Sequence, residues 1–313
     1  MTPVVAGSNP VIHPNFCLTA PGPLTPPEPC LVSASPAVSL GDTRCLASNQ
    51  MSSSDTTSAT GFTRWIADLD DRHLRDMTTS EVARALRALS STYVERRARL
   101  SGRGAFDTAG KRAAYALYYA PRRFLTIAHI LEHIGAPTGP IHIIDVGCGT
   151  GAAGAAWAGH AGPGTSVLGV DVHPWAIEET RATYRAFGLN GQTRRSSALA
   201  AATAWKDGRT RGDTARATGL ALSYVANELD ADERAALLVT LLEAARRGTR
   251  VFVMEPLSRK TSPWWNGWVD AFEMAGGRTD EWRVRIDPPA TTLALGRATG
   301  LDAVEATGRT LWI

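Results

Sequence analysis

Between Asp145 and Gly151 the chain reads D-V-G-C-G-T-G, with the apolar run His142 to Val146 before it and an alanine-rich stretch after it. Gly147, Gly149 and Gly151 present a bare backbone that a ligand can approach closely. They lead into a helix amino terminus, where unsatisfied N–H groups gather. Asp145 ends the strand with a carboxylate suited to an ammonium group, met directly or through water. A charge-assisted hydrogen bond of that kind contributes roughly 1.5 to 3 kcal/mol. Asp171 ends the next strand, G-V-D-V-H, where a carboxylate can accept from both hydroxyls of a ribose. A structural alternative for Asp171 is a cap on the helix that Pro174 opens.

An ammonium and a ribose on either side of a glycine loop point to S-adenosyl-L-methionine (SAM). The predicted cofactor site is Asp145, Gly147, Cys148, Gly149, Gly151, Asp171 and Val172. Gly147, Gly149 and Ala152 also satisfy G-x-G-x-x-A, so an NAD(P)-binding oxidoreductase is the rival. Two features weigh against it: Asp145 would set negative charge beside a pyrophosphate, and Gly151 has no part in the dinucleotide pattern.

The run S-Y-V-A-N-E-L ends a later strand and brings Ser223, Tyr224, Asn227 and Glu228 to the carboxyl edge of the sheet, where ligands of open α/β sheets bind. Tyr224 or Asn227 is suited to orient a methyl acceptor, and Glu228 to take its proton. Alternatively, Asn227 and Glu228 simply start the next helix. The following strand ends M-E-P, placing Glu255 at the same edge as a second candidate base. Tyr224, Asn227, Glu228 and Glu255 are therefore the predicted catalytic set. Trp264, Trp268 and Phe272 recur at four-residue spacing, the mark of a core stripe, while Trp265 lies off it and could face the cleft. Arg122 and Arg123, beside Tyr118 and Tyr119, suit a cofactor carboxylate or an RNA phosphate, or else a solvated helix face. His129, His133 and His173 show no metal-ligand grouping, and no bound metal is expected.

These residues need a scaffold. Thr78 and Glu81 form a capping box ahead of Val82, Leu86, Leu89 and Tyr93 at helical spacing. A second helical stretch from about Asp107 is expected to break at Pro121 and resume through Phe124, Ile127, Leu131 and Ile134. Residues 61–136 thus read as a helical cap. After Pro137 strands and helices alternate: His142 to Val146, a helix from about Ala152, Ser166 to Val172, a helix from Pro174, and a weak strand near Gln192 to Ser196. Then come Leu220 to Val225, a helix capped by Asp230 with Glu233, and Arg250 to Glu255. A helix from Ser262 and strands around Trp282 to Ile286 and Gly308 to Ile313 close the chain. The predicted fold is α/β: a doubly wound, mostly parallel, seven-stranded Rossmann-like sheet over 137–313, behind the cap and a disordered tail.

That tail, residues 1–60, is rich in Pro, Ser, Thr and Ala and short of large apolar groups. Met51 opens a more ordinary start, M-S-S-S-D, and the upstream segment is read as an artefact of start-codon choice. Cys17, Cys30 and Cys45 are widely spaced and fit neither a disulfide framework nor a zinc site. The 33 basic and 30 acidic residues leave a net charge of +3, too small to imply a nucleic-acid surface unless clustered. No apolar run is long enough to span a membrane, and no secretory or transit signal is evident. A cytoplasmic location is expected.

The glycine loop and the acidic ends of its two strands resemble class I SAM-dependent methyltransferases, and by that likeness the two closing strands are expected to form the antiparallel pair that ends such a sheet. More loosely, L-S-S-T-Y-V-E-R-R, A-A-Y-A-L-Y-Y-A-P-R-R-F, D-V-G-C-G-T-G, S-Y-V-A-N-E-L and V-M-E-P, in that order, resemble the methyltransferase-like family associated with the mitochondrial small ribosomal subunit and its bacterial relatives. That resemblance covers roughly residues 85–260. It implies methyl transfer to an RNA, protein or small-molecule acceptor, or a catalytically silent SAM-binding role in ribosome assembly, with ribosomal RNA or the small subunit as partner. Some members carry a cysteine-ligated iron-sulfur cluster; Cys148 alone cannot supply one here.

Overall fold

The computed structural model describes residues 53–95, 106–205, 217–258 and 262–313. The expected disorder of residues 1–52, and Cys17, Cys30 and Cys45 with it, lie outside the described residues. Among the described residues, seven strands form one sheet. They are β1 (Ile141–Val146), β2 (Ser166–Asp171), β3 (Asn190–Arg195), β4 (Ala217–Ser223), β5 (Arg250–Glu255), β6 (Arg278–Arg285) and β7 (Glu305–Trp312). Their order is β3-β2-β1-β4-β5-β7-β6. Strands β1 to β5 run parallel, and β7 is antiparallel to both β5 and β6.

The central strands are apolar on both faces because both faces are covered. Ile143, Val167, Ala221 and Phe252 join one core cluster, and their neighbours Ile144, Leu168, Leu220 and Val253 join the other. The first face carries α5 (Ala152–Ala161) and α6 (Pro174–Ala186) together with the amino-terminal helices α1 (Ser53–Leu74) and α2 (Thr79–Glu95). The second carries α7 (Ala198–Trp205), α8 (Ala231–Arg246) and α9 (Trp265–Met274). At the β3 edge the strand reads N-G-Q-T-R-R and is largely exposed, which is why its sequence signal is weak.

Helix α1 begins at Ser53, inside the stretch read as disordered to residue 60. Its attachment to α6 is specific. Trp65 donates to Thr183 at 2.9 Å, and Arg72 donates twice to Glu179, at 2.7 and 2.8 Å. Thr78 and Glu81 form the expected capping box ahead of α2, whose Val82, Leu86 and Leu89 are buried.

The break expected at Pro121 does not occur. Helix α3 (Ala109–Ala114), a π-helical turn (Tyr115–Tyr119) and α4 (Ala120–His133) follow without interruption. Proline lacks the N–H that would bond the Leu117 carbonyl one turn back. The turn widens ahead of it, and Thr292 of α10 (Ala290–Thr299) supplies the missing donor to Leu117 at 2.8 Å. Helix α9 starts at Trp265 rather than Ser262. Among the described residues, no helix is long and apolar enough to cross a membrane.

Candidate functional site

The loop after β1 turns on three left-handed glycines, Gly147 (φ 66°), Gly149 (φ 56°) and Gly151 (φ 77°). At two of them the protein itself demands glycine. A Cβ on Gly147 would lie 2.4 Å from Val225 Cγ2, and one on Gly151 would lie 3.0 Å from both Thr180 and Tyr184. At Gly149 the nearest neighbour is the Tyr115 hydroxyl, 3.2 Å from the Cβ position. Here the bare backbone faces a polar group rather than a wall of carbon. Cys148 is buried between the glycines, and its sulfur meets the Thr180 hydroxyl at 3.2 Å.

The two acidic residues play different parts. Asp145 is 1% exposed; its Oδ2 accepts from the Gly154 N–H at 2.8 Å and from the Tyr184 hydroxyl at 3.3 Å. These bonds brace the first turn of α5 against α6, and burial pushes the carboxyl up to about 7. Asp171 is partly exposed and ties strand ends together: Oδ2 accepts from the Gly149 N–H at 3.0 Å and Oδ1 from the His173 N–H at 2.8 Å. It does not cap α6; the His173 ring does, accepting from the Trp175 N–H. Val172, one residue past β2, is a large apolar side chain 49% exposed beside this carboxylate.

On the other flank, β4 ends at Ser223. Tyr224 is the only non-glycine residue with positive φ (63°) among the described residues. Its N–H donates to the Met254 carbonyl at 2.8 Å. Asn227 and Glu228 sit in a short 3-10 turn, Ala226–Glu228, and α8 starts later behind its Asp230 cap. Glu255 is fully buried. Its Oε1 accepts from the Ala226 N–H at 2.8 Å, and its Oε2 from the Asn227 side-chain amide at 2.7 Å. Asn227 Oδ1 in turn accepts from Ser262 at 2.7 Å and Trp264 at 3.1 Å. The pair thus ties the end of β5 to the loop after β4 and to the start of α9. Glu228, by contrast, is exposed.

Burial pushes Glu255 up to about 8, against the pull of the loop N–H groups and Arg309. Trp265, which lies off the stripe and could have faced the cleft, is buried with the Arg309 guanidinium 4.3 Å from its ring centre. Trp268 and Phe272 are core, as their spacing predicts.

The two arginines of A-P-R-R-F part company. Arg122 donates to the carbonyls of Ala303 and Glu305, anchoring α4 to the chain entering β7 rather than lying on a solvated face. Tyr118 does the same at Asp302. Arg123 turns toward the glycine loop and donates to the Tyr115 hydroxyl. Its guanidinium carbon lies 4.4 Å from the centre of the Tyr224 ring, 4.8 Å from that of Tyr115 and 6.0 Å from that of Tyr119. Sequence reading missed Gly154, Tyr184 and Tyr115, which reach the site across long stretches of chain; only Tyr115, in the A-Y-A-L-Y-Y run, carried a local hint. Among the described residues, no three His, Cys, Asp or Glu side chains group to hold a metal.

Residues 143–236 match the family described as a methyltransferase domain, a span running from β1 through the glycine loop and the Tyr224 turn into α8. No curated protein matches the chain. Among solved structures, a putative O-methyltransferase from Nostoc punctiforme is 13% identical with a TM-score of 0.41, covering 82% of this chain and 72% of its own. A SAM-dependent methyltransferase from Aquifex aeolicus is 15% identical (TM-score 0.37; 62% and 91% covered). Fibrillarin from Aeropyrum pernix, with SAM natively bound, is 12% identical (TM-score 0.39; 62% and 76% covered).

Proposed function

We propose that the chain, whose residues 143–236 match a methyltransferase domain, binds SAM and transfers its methyl group to an acceptor placed over Tyr224. The observation that carries this is the join of the two strand ends through Asp171 and the Gly149 N–H, which sets a carboxylate beside a bare, left-handed backbone. The residues suit the cofactor by type. Gly147, Cys148, Gly149 and Gly151 would receive the amino-acid end along their backbone, with Asp145 behind them fixing the first turn of α5. Asp171 would accept from the ribose hydroxyls, and exposed Val172 would rest against the base.

SAM supplies an electrophilic methyl group. What remains for the protein is alignment and proton removal. Tyr224 and its loop orient the acceptor; Glu228, exposed and ionisable, takes the acceptor proton. Glu255 and Asn227, proposed from sequence as chemical participants, act from behind by fixing that loop.

Calorimetry with SAM tests the cofactor half. Gly149→Arg should abolish binding with an unchanged circular dichroism spectrum, and undiminished affinity would sink the assignment. Release of S-adenosylhomocysteine with RNA, protein and small-molecule acceptors tests turnover. The narrower ribosome-associated reading rests on the resemblance over residues 85–260. Binding of SAM without turnover, together with co-sedimentation with the small ribosomal subunit, would favour it instead.

A further inference from the structure

We infer that the methyl acceptor carries an oxyanion, a carboxylate or a phosphate monoester, and that Arg123 and Tyr115 bind it. This rests on reading the Gly147–Gly151 loop as the cofactor site, and it names the acceptor class for that site.

Three observations converge. Arg123 projects from α4 into the space between the glycine loop and the Tyr224 turn, the two segments that flank a cofactor and its acceptor. Its guanidinium lies over Tyr224 and Tyr115 and is partly buried. Aromatic faces of this kind hold a guanidinium flat. Tyr115 supplies the second donor: its hydroxyl accepts from Arg123 and, pushed up to about 12 by burial, keeps its own proton. That hydroxyl stands 3.2 Å from where a Cβ of Gly149 would be, so the donors meet at the cofactor loop itself.

The backbone supports the same purpose. Tyr224 holds a left-handed conformation (φ 63°) that is strained for a tyrosine. Such strain persists where the surroundings fix it, and Glu255 does so through Ala226 and Asn227. Its effect is to turn the Tyr224 ring under Arg123. Two carboxylates, Glu228 and Asp171, also act on the Tyr115 hydroxyl. Glu228 is exposed, and Asp171 is engaged by two backbone N–H groups.

The test uses the full chain loaded with S-adenosylhomocysteine and titrated calorimetrically with benzoate, phenyl phosphate and neutral benzamide. Benzoate or phenyl phosphate should bind at least tenfold tighter than benzamide, and the preferred one names the oxyanion. Arg123→Gln should remove that preference; Arg123→Lys, keeping charge but losing the fork, should retain part of it. Equal binding of benzamide, absence of anion binding, or an Arg123→Gln preference equal to wild type would overturn the proposal.

The cofactor's own carboxylate is the competing ligand. If Arg123→Gln weakens SAM tenfold while leaving 5′-methylthioadenosine, which lacks that carboxylate, unchanged, Arg123 serves the cofactor and the proposal falls. Loss of SAM binding by the wild-type chain would instead overturn the cofactor reading beneath it.

Discussion

At the scale of single residues, the site is governed by how much each carboxylate is desolvated. Glu255 sits among hydrogen-bond donors yet is pushed from an ordinary 4.5 up to about 8. The folded state therefore binds its proton more tightly than the unfolded chain does. The sign follows: this stability is fully present below about pH 4.5 and is lost as pH rises through 8. Asp145, pushed up to about 7, acts in the same direction. Glu255→Gln cannot titrate, so its unfolding free energy should fall less steeply than wild type between pH 5 and 8, by on the order of a few kcal/mol across the range. Urea melts at several pH values measure it; parallel slopes would contradict the assignment. The glycine turns and the placing of both aspartates at strand ends were legible because residue type and spacing declare them, but Asp145, read as meeting an ammonium, is sealed against Gly154 and Tyr184. Asp145's partner Tyr184, 39 positions away, was not legible, since no local pattern records a contact made through folding. Nor does sequence separate a carboxylate that faces solvent, such as Glu228, from one sealed under a loop, such as Glu255.

At the scale of elements, α1 is held to α6 by a clamp that single-sequence periodicity did not show. Buried Glu179 accepts from Arg72 twice and meets His73 at 3.2 Å. These partners hold its carboxyl below the usual range although burial opposes them. The contribution is present above the ordinary glutamate value of 4.5 and is lost as pH falls through the depressed folded value. Glu179→Ala removes the buried partner of Arg72, leaves that guanidinium the more exposed Asp68 at 2.9 Å, and should cost about 2 kcal/mol, read as a lower urea midpoint with a similar slope. A change under about 0.5 kcal/mol would place the clamp among ordinary surface pairs. Strands of the central sheet announced themselves as apolar runs, and the capping box of α2 announced its start. Helix α1 did not: its S-S-D-T-T-S-A-T opening has poor helical propensity, and the buried anchors Trp65 and Leu69 explain its place better than any local preference.

At the scale of the whole molecule, one sheet and two cores place the cofactor loop, the Tyr224 turn and the amino-terminal helices around a single edge. A ligand bound there should stabilise the entire described body. At a hundredfold excess over its dissociation constant, S-adenosylhomocysteine should add about 2.7 kcal/mol, a rise of roughly 4 to 5 °C in melting temperature for a chain of this size. Differential scanning fluorimetry checks this, with NAD as the control; a shift with NAD alone would return the site to the dinucleotide reading. Alternation of strands and helices carries the parallel part of the sheet; the antiparallel closing pair was expected only through the likeness to class I methyltransferases, and the depth of the amino-terminal helices is set by packing.

The widened turn at Tyr115–Tyr119 has a mechanical corollary. One surplus residue there lets the helix arrive at Gly149 with Tyr115 while α4 keeps its own phase against the sheet. Removing Ala116 would restore ordinary winding and rotate everything upstream by about 100°, carrying the tyrosine away from the loop even though every side chain of α4 stays in register. Such a deletion variant should remain helical by circular dichroism and lose ligand affinity, uncoupling foldedness from competence by a single missing alanine.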